Sequence, residues 1–141
     1  MLHARPLHRL FRARDGAALV EFALALPLLL TLMMGMLCYG QYIWIAHGAQ
    51  QIANDAARAA MGGLTPAERE TIARAVLSRT LPALPEIKPD RASLRIEERD
   101  GYLITHVLVD ARDVTLMHTS FVPVPDPVIV RAAMVRLGGT E

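Results

Sequence analysis

The chain has 141 residues, 15 Lys+Arg against 14 Asp+Glu for a net charge of +1, 52% hydrophobic residues and 5% aromatics. That length bounds it to one domain or two, and the even charge balance excludes nucleic-acid binding through a bulk basic footprint. Cys38, the sole cysteine, excludes an internal disulfide framework and a multi-cysteine zinc or iron–sulfur centre.

The first segment, residues 1–16, reads as a basic cytoplasmic leader. Arg5, Arg9, Arg12 and Arg14 stand against Asp15, a net +3, whereas the part after Ala46 has 11 basic and 12 acidic residues. This asymmetry predicts an N-terminus held in the cytoplasm and a C-terminal part carried across the membrane.

Residues 17–46 form the predicted transmembrane segment. Glu21 is its only carboxylate, and residues 24–45 carry no formal charge. A helix needs about 20 apolar residues to cross a hydrocarbon core about 30 Å thick. The run is apolar all round rather than along one stripe, which argues against the core helix of a soluble protein. Tyr39, Tyr42 and Trp44 cluster at its far end, where amphipathic rings favour a membrane–water interface. A cleaved secretory signal fits poorly, because its apolar region spans only about 7–15 residues before a small-residue site. A lipoprotein signal fails because Leu37 precedes Cys38.

The entrance to the segment carries the most information. A carboxylate in an apolar span costs about 2.5–3.5 kcal/mol at the bilayer centre and less near its edge, so Glu21 needs a partner or a path to the headgroups. Cleavage after Gly16 would free the α-amino group of Ala17 four residues before Glu21. That spacing permits pairing on one helix face or between neighbouring chains. Pro27, six residues beyond Glu21, removes a backbone donor and marks an expected helix kink.

The run Gly16-Ala17-Ala18-Leu19-Val20-Glu21-Phe22-Ala23-Leu24-Ala25-Leu26-Pro27-Leu28-Leu29-Leu30, behind a basic leader, resembles the TadE-like family, the minor pilins or pseudopilins of the tight-adherence (Flp) pilus machinery. Gln50-Gln51-Ile52-Ala53-Asn54-Asp55-Ala56-Ala57-Arg58-Ala59-Ala60 is similar to that family's Ala-rich continuation, so the resemblance covers about residues 14–62. It implies cleavage between Gly16 and Ala17 by a membrane prepilin peptidase, with Glu21 and Phe22 placing the subunit in an assembly. The implied partners are the inner membrane, the peptidase, other pilus or pseudopilus subunits and assembly-platform proteins. The implied role is pilus assembly in support of surface attachment. The family includes both processed pseudopilins and anchored accessory proteins, so a permanently anchored periplasmic scaffolding or binding domain of an envelope secretion complex stays open as the alternative.

Past the span, residues 47–62 are Ala-rich strong helix formers. One helix is therefore expected over residues 17–61, about 65–70 Å long at the helical rise. Ala49, Ala53, Ala57 and Ala60 form a small-residue strip suited to close helix approach, as packing between subunits would require. Gly62-Gly63 ends this helix. The remainder, 63–141, reads as a small exported α+β domain. Thr65-Pro66-Ala67-Glu68 is a capping box that starts an amphipathic helix to about Leu81, with Ile72, Ala73, Val76, Leu77 and Thr80 on one face. Pro82, Pro85 and Pro89 make a stiff connector.

Periodicity then changes to two. Leu94 and Ile96 alternate with Ser93, Arg95 and Glu97, and Arg99-Asp100-Gly101 turns the chain into a second strand over Tyr102–Asp110. Val128, Val130, Ala132 and Met134 read as a last strand after the interruptions at Pro123, Pro125 and Pro127. The expected class is α+β: a long N-terminal helix entering a pilin-like unit of one amphipathic helix and about three antiparallel strands.

His106, Asp110, Asp113 and His118 are the one histidine–carboxylate cluster, with His106 and Asp110 expected on one strand face. No metal-ligand spacing, phosphate loop or nucleophile elbow accompanies them. A solvated strand face and loop account for them, and no enzyme activity, metal, cofactor, nucleic acid or small-molecule substrate is expected.

Overall fold

In the computed structural model, the backbone is described for residues 8–118 and 122–138, and side chains for 16–116 and 122–138. Two helices come first, α1 (His8–Ala60) and α2 (Pro66–Thr80), followed by three strands, β1 (Ala92–Arg99), β2 (Tyr102–Asp110) and β3 (Val128–Arg136). Short 3-10 turns occupy Leu81–Ala83, Pro89–Arg91 and Thr115–His118. The class is α+β, with an antiparallel sheet in the order β1-β2-β3. The chain divides into two compact units, one ending at Met36 and the other beginning at Leu37.

α1 begins well before the expected Ala17. Its first turns are built from Arg, Leu and Ala, strong helix formers that a lone Gly16 does not interrupt. Its end is tightened by i→i−3 hydrogen bonds from Met61, Gly62 and Gly63 to the carbonyls of Arg58, Ala59 and Ala60. Gly63 is required there: a Cβ would lie 2.8 Å from the Arg69 backbone nitrogen, which cannot move aside.

The capping box forms as expected. The Glu68 N–H donates to the Thr65 hydroxyl at 3.2 Å, and the Thr65 N–H donates to the Glu68 carboxylate at 3.2 Å. α2 buries Ala73 and Val76, half-buries Ile72, Leu77 and Thr80, and turns the Glu70–Arg74 ion pair to solvent. Arg69 reaches Glu98 of β1 at 2.8 Å, fastening the helix to the sheet.

β1 and β2 meet through a two-residue turn in which Asp100 (φ 53°) and Gly101 (φ 76°) are both left-handed. This is the turn geometry that matches the twist of a hairpin. The register follows as Arg99↔Tyr102 through Ala92↔Val109, and β3 continues the sheet from Asp110↔Val128. One face carries Leu94, Leu103, Val107, Val109, Ile129 and Ala133 into the core.

β3 forms where the last strand is expected, with Ile129 and Ala133 facing inward and Val130, Ala132 and Met134 exposed. Pairing decides this, because Ile129 lies opposite the buried Val109; both alternations of this strand are apolar, so periodicity alone cannot choose. The strip of Ala49, Ala53, Ala57 and Ala60 is fully buried in the chain's own core, together with the sheet residues and Val76. It is therefore not a surface for packing between subunits. The Gln50 side-chain amide adds a 2.9 Å donation to the Ala132 carbonyl, joining α1 to β3. Full burial of these alanines has a testable consequence. Ala53→Leu adds three carbons at a fully buried position, and should lower stability of the full chain in detergent by about 1–3 kcal/mol in a denaturant titration.

Candidate functional site

The residues singled out in the sequence lie on the first part of α1. Between Gly16 and Leu37 the helix shows apolar side chains to its surroundings on every side: Leu19, Phe22, Leu24, Leu28, Leu32 and Met36 are all more than half exposed. Gly16–Ala60 is long and apolar enough to cross a membrane by length and composition. Water does not tolerate such a rod, which needs lipid or other apolar surface around it.

Glu21 and Phe22 are both exposed on this rod, and Glu21 has no hydrogen bond or ion pair among the described residues. The Gly16–Ala17 bond lies within helical backbone, and nothing stands within 4 Å of where a Gly16 Cβ would be. The helix runs on through Pro27. Lacking an N–H, Pro27 leaves the Ala23 carbonyl without its helical donor, and the Thr31 hydroxyl donates to the Pro27 carbonyl at 2.8 Å. Arg5 of the basic leader lies outside the described residues, as do the side chains of Arg9, Arg12, Arg14 and Asp15.

The surroundings of α1 change at Cys38. Its thiol is fully buried and donates to the Leu116 carbonyl at 3.0 Å. The Tyr39 hydroxyl donates to the Pro123 carbonyl at 3.0 Å. Ile45 and Ala46 are buried and Tyr42 packs against the core, while Ile43 and Trp44 remain exposed at 63% and 58%. From Cys38 onward the helix thus has an inward stripe (Cys38, Tyr42, Ile45, Ala49, Ile52, Ala56) spaced alternately by four and three. Sequence reasoning missed this stripe, although its heptad-like spacing is present in the residues.

The histidine–carboxylate cluster resolves into an ion-pair network. Asp110 accepts from Arg91 and from the Arg112 guanidinium, each at 3.0 Å, and from the Arg112 backbone N–H at 3.0 Å. Asp113 pairs with Lys88 and Arg91, each at 3.2 Å. His106 lies on the outer sheet face opposite Arg95, and the His118 side chain lies outside the described residues. Among the described residues, no group of three His, Cys, Asp or Glu is placed to hold a metal.

Residues 16–60, about a third of the chain, match the family described as TadE-like protein. The match covers α1 from the bare rod to its buried end. No curated protein and no solved structure matches the chain. The family is pilus-related and structural, which suggests a protein associated with the Tad pilus.

Two measurements follow from this geometry. The Arg112 backbone N–H, helped by the Arg112 and Arg91 side chains, holds the Asp110 carboxyl below its ordinary value. The Lys88 ammonium, aided by Arg91, does the same for Asp113. Groups depressed in the folded state stabilise it above the ordinary aspartate range, and that contribution is lost as pH falls through the depressed values. The melting temperature should therefore drop on acidification through that range, and Asp110→Asn should give a lower neutral value with a flatter acid limb. Tyr39→Phe removes the hydrogen bond to Pro123 and should cost about 0.5–1.5 kcal/mol in chemical denaturation, with membrane fractionation unchanged.

Proposed function

We propose that the chain is a minor pilin or pseudopilin that assists assembly of a tight-adherence (Flp) type pilus and thereby surface attachment. The observation that carries this reading is the bare apolar rod bearing one carboxylate without a partner among the described residues, within the segment that matches the TadE-like family. In this reading the membrane span begins at Ala17 and ends near Leu37, because Cys38, Ile45 and Ala46 are already occupied by the folded unit. That is about 21 residues, roughly 31 Å at the helical rise, against a hydrocarbon core of about 30 Å. The arginine-rich leader keeps the N-terminus in the cytoplasm and places the folded unit in the periplasm of a bacterial inner membrane.

Glu21 then lies about one turn inside the cytoplasmic edge, where a lone carboxylate is unfavourable but not prohibitive. A prepilin peptidase acting between Gly16 and Ala17 creates an ammonium group that can pair with Glu21 of the same chain or of a neighbour. Phe22 packs beside that contact, and Pro27 lets the helix bend where subunits meet. The other partners are pilus or pseudopilus subunits and the assembly-platform proteins. A second reading, a permanently anchored periplasmic scaffold of an envelope secretion complex, is favoured by one observation. The alanine strip is consumed in the chain's own core and is not available to pack subunits together.

Intact-mass measurement of the membrane fraction, combined with pilus assembly by a Glu21→Ala strain, tests the choice. The pilin reading expects a mature chain beginning at Ala17. A charged hydrogen bond is worth about 1.5–3 kcal/mol, so losing it should lower assembly or subunit cross-linking by about tenfold or more. A chain that begins at Met1 and assembles normally without the Glu21 carboxylate would overturn this reading in favour of the anchored scaffold.

A further inference from the structure

Resting on the span assigned above, we propose that the exported unit has a second membrane-contacting element. Its two arms, residues 114–116 and 122–125, would lie in the headgroup layer of the outer leaflet and seat the unit on the lipid surface.

Depth is the first line of support. Cys38 and Tyr39 follow the last bare residue of the span by one and two positions, at most about 3 Å along the helix. The interfacial layer on each side of the hydrocarbon core is about 5–7 Å thick. Leu116 and Pro123 hydrogen-bond through their carbonyls to Cys38 and Tyr39, each at 3.0 Å. Two points of the chain distant in sequence from the span are thus held at the level where α1 leaves the lipid.

Composition is the second. Between Asp113 and Asp126 the sequence contains no Asp, Glu, Lys or Arg. Among its described side chains, Val114 is buried and Val124 packs on the core, whereas Leu116, Val122 and Pro125 are half-buried and Thr115 and Pro123 exposed, so the two arms are anchored but not fully covered by the chain itself. Surfaces of this kind, apolar and without carboxylates, are favoured at the boundary between headgroups and acyl chains. Leu37 and Tyr39, both exposed on α1 at this level, extend the surface with an aromatic ring of the kind typical of that zone.

Charge does not oppose this placement. Just before Val114, Lys88, Arg91 and Arg112 gather at Asp90, Asp110 and Asp113, three cations to three carboxylates. The occupant is taken as the lipid surface because both arms are tied to α1 where its bare apolar stretch ends.

The test uses the full chain in vesicles of phosphatidylethanolamine and phosphatidylglycerol, in a Trp44→Phe background that removes the native fluorophore. Val122→Trp and Leu116→Trp report from the two arms, so that one remains informative if the other fails to fold. Leu29→Trp reports from the span and Leu64→Trp from the exposed turn after α1. Both arm reporters should emit to the blue of Leu64→Trp and lose the larger part of their emission when the acyl chains are brominated, with Leu64→Trp unaffected. Arm reporters that match Leu64→Trp while Leu29→Trp is quenched would overturn the second contact and leave the span intact. An unquenched Leu29→Trp would overturn the span itself, and with it this inference.

Discussion

A helix that presents apolar side chains on all sides is stable only where water is kept away from it, and α1 meets that condition in two ways along its length. Up to Leu37 its own chain covers almost none of it. From Cys38 the same helix narrows to an inward stripe and is covered by its own sheet and α2. Lipid on one stretch and protein on the other are alternative solvents for the same physical demand. The change of surroundings within one unbroken element coincides with the division of the chain into a bare rod and a folded unit. The folded unit cannot form its core without the second half of α1, because alanines from that half line the buried side of the sheet.

This dependence explains a core so poor in aromatics. The sheet supplies leucine, valine and isoleucine, and α1 supplies Ala49, Ala53, Ala56, Ala57 and Ala60, all fully buried. Small residues gain little from the hydrophobic effect individually, but they let the helix axis approach the sheet and so preserve dense packing. Around this layer the fold is fastened by polar links at its rim. Arg69 joins α2 to β1, Gln50 joins α1 to β3, and Arg91 holds the connector before β1 to the end of β2.

Local chemistry made much of this legible in the sequence. The Thr65–Glu68 capping box and the Asp100-Gly101 turn are decided by residues within four positions of one another, and both form as the sequence implies. The long apolar helix was equally readable, since its signal is length and apolarity rather than pairing. What the sequence hid was partnership. The alternation in β3 is ambiguous because Val130 and Met134 on one face are as apolar as Ile129 and Val135 on the other, and only the pairing with β2 chooses. The alanine strip announced close approach without saying to what. The apolar run concealed the point where the folded unit begins, because Ile43 and Trp44 on its outer side are as hydrophobic as Ile45 and Ala46 on its inner side. Of the candidate site, the residues Gly16, Glu21 and Pro27 could be named from the sequence, but their bareness could not.

That bareness separates two carboxylates with the same chemistry. Asp110 has three donors from its own chain, and the fold is complete around it. Glu21 has none among the described residues, on a stretch of exposed apolar side chains. A buried or lipid-facing charge gains most from a partner precisely because its surroundings screen so little. Among the described residues, Glu21 therefore stands without an intramolecular partner, on the bare rod and not in the folded unit. The alanine strip, the other surface suited to helix packing, is already closed by intramolecular contacts. Along α1, the stretch that is bare on every side is therefore the one that carries Glu21, and it ends where the folded unit begins.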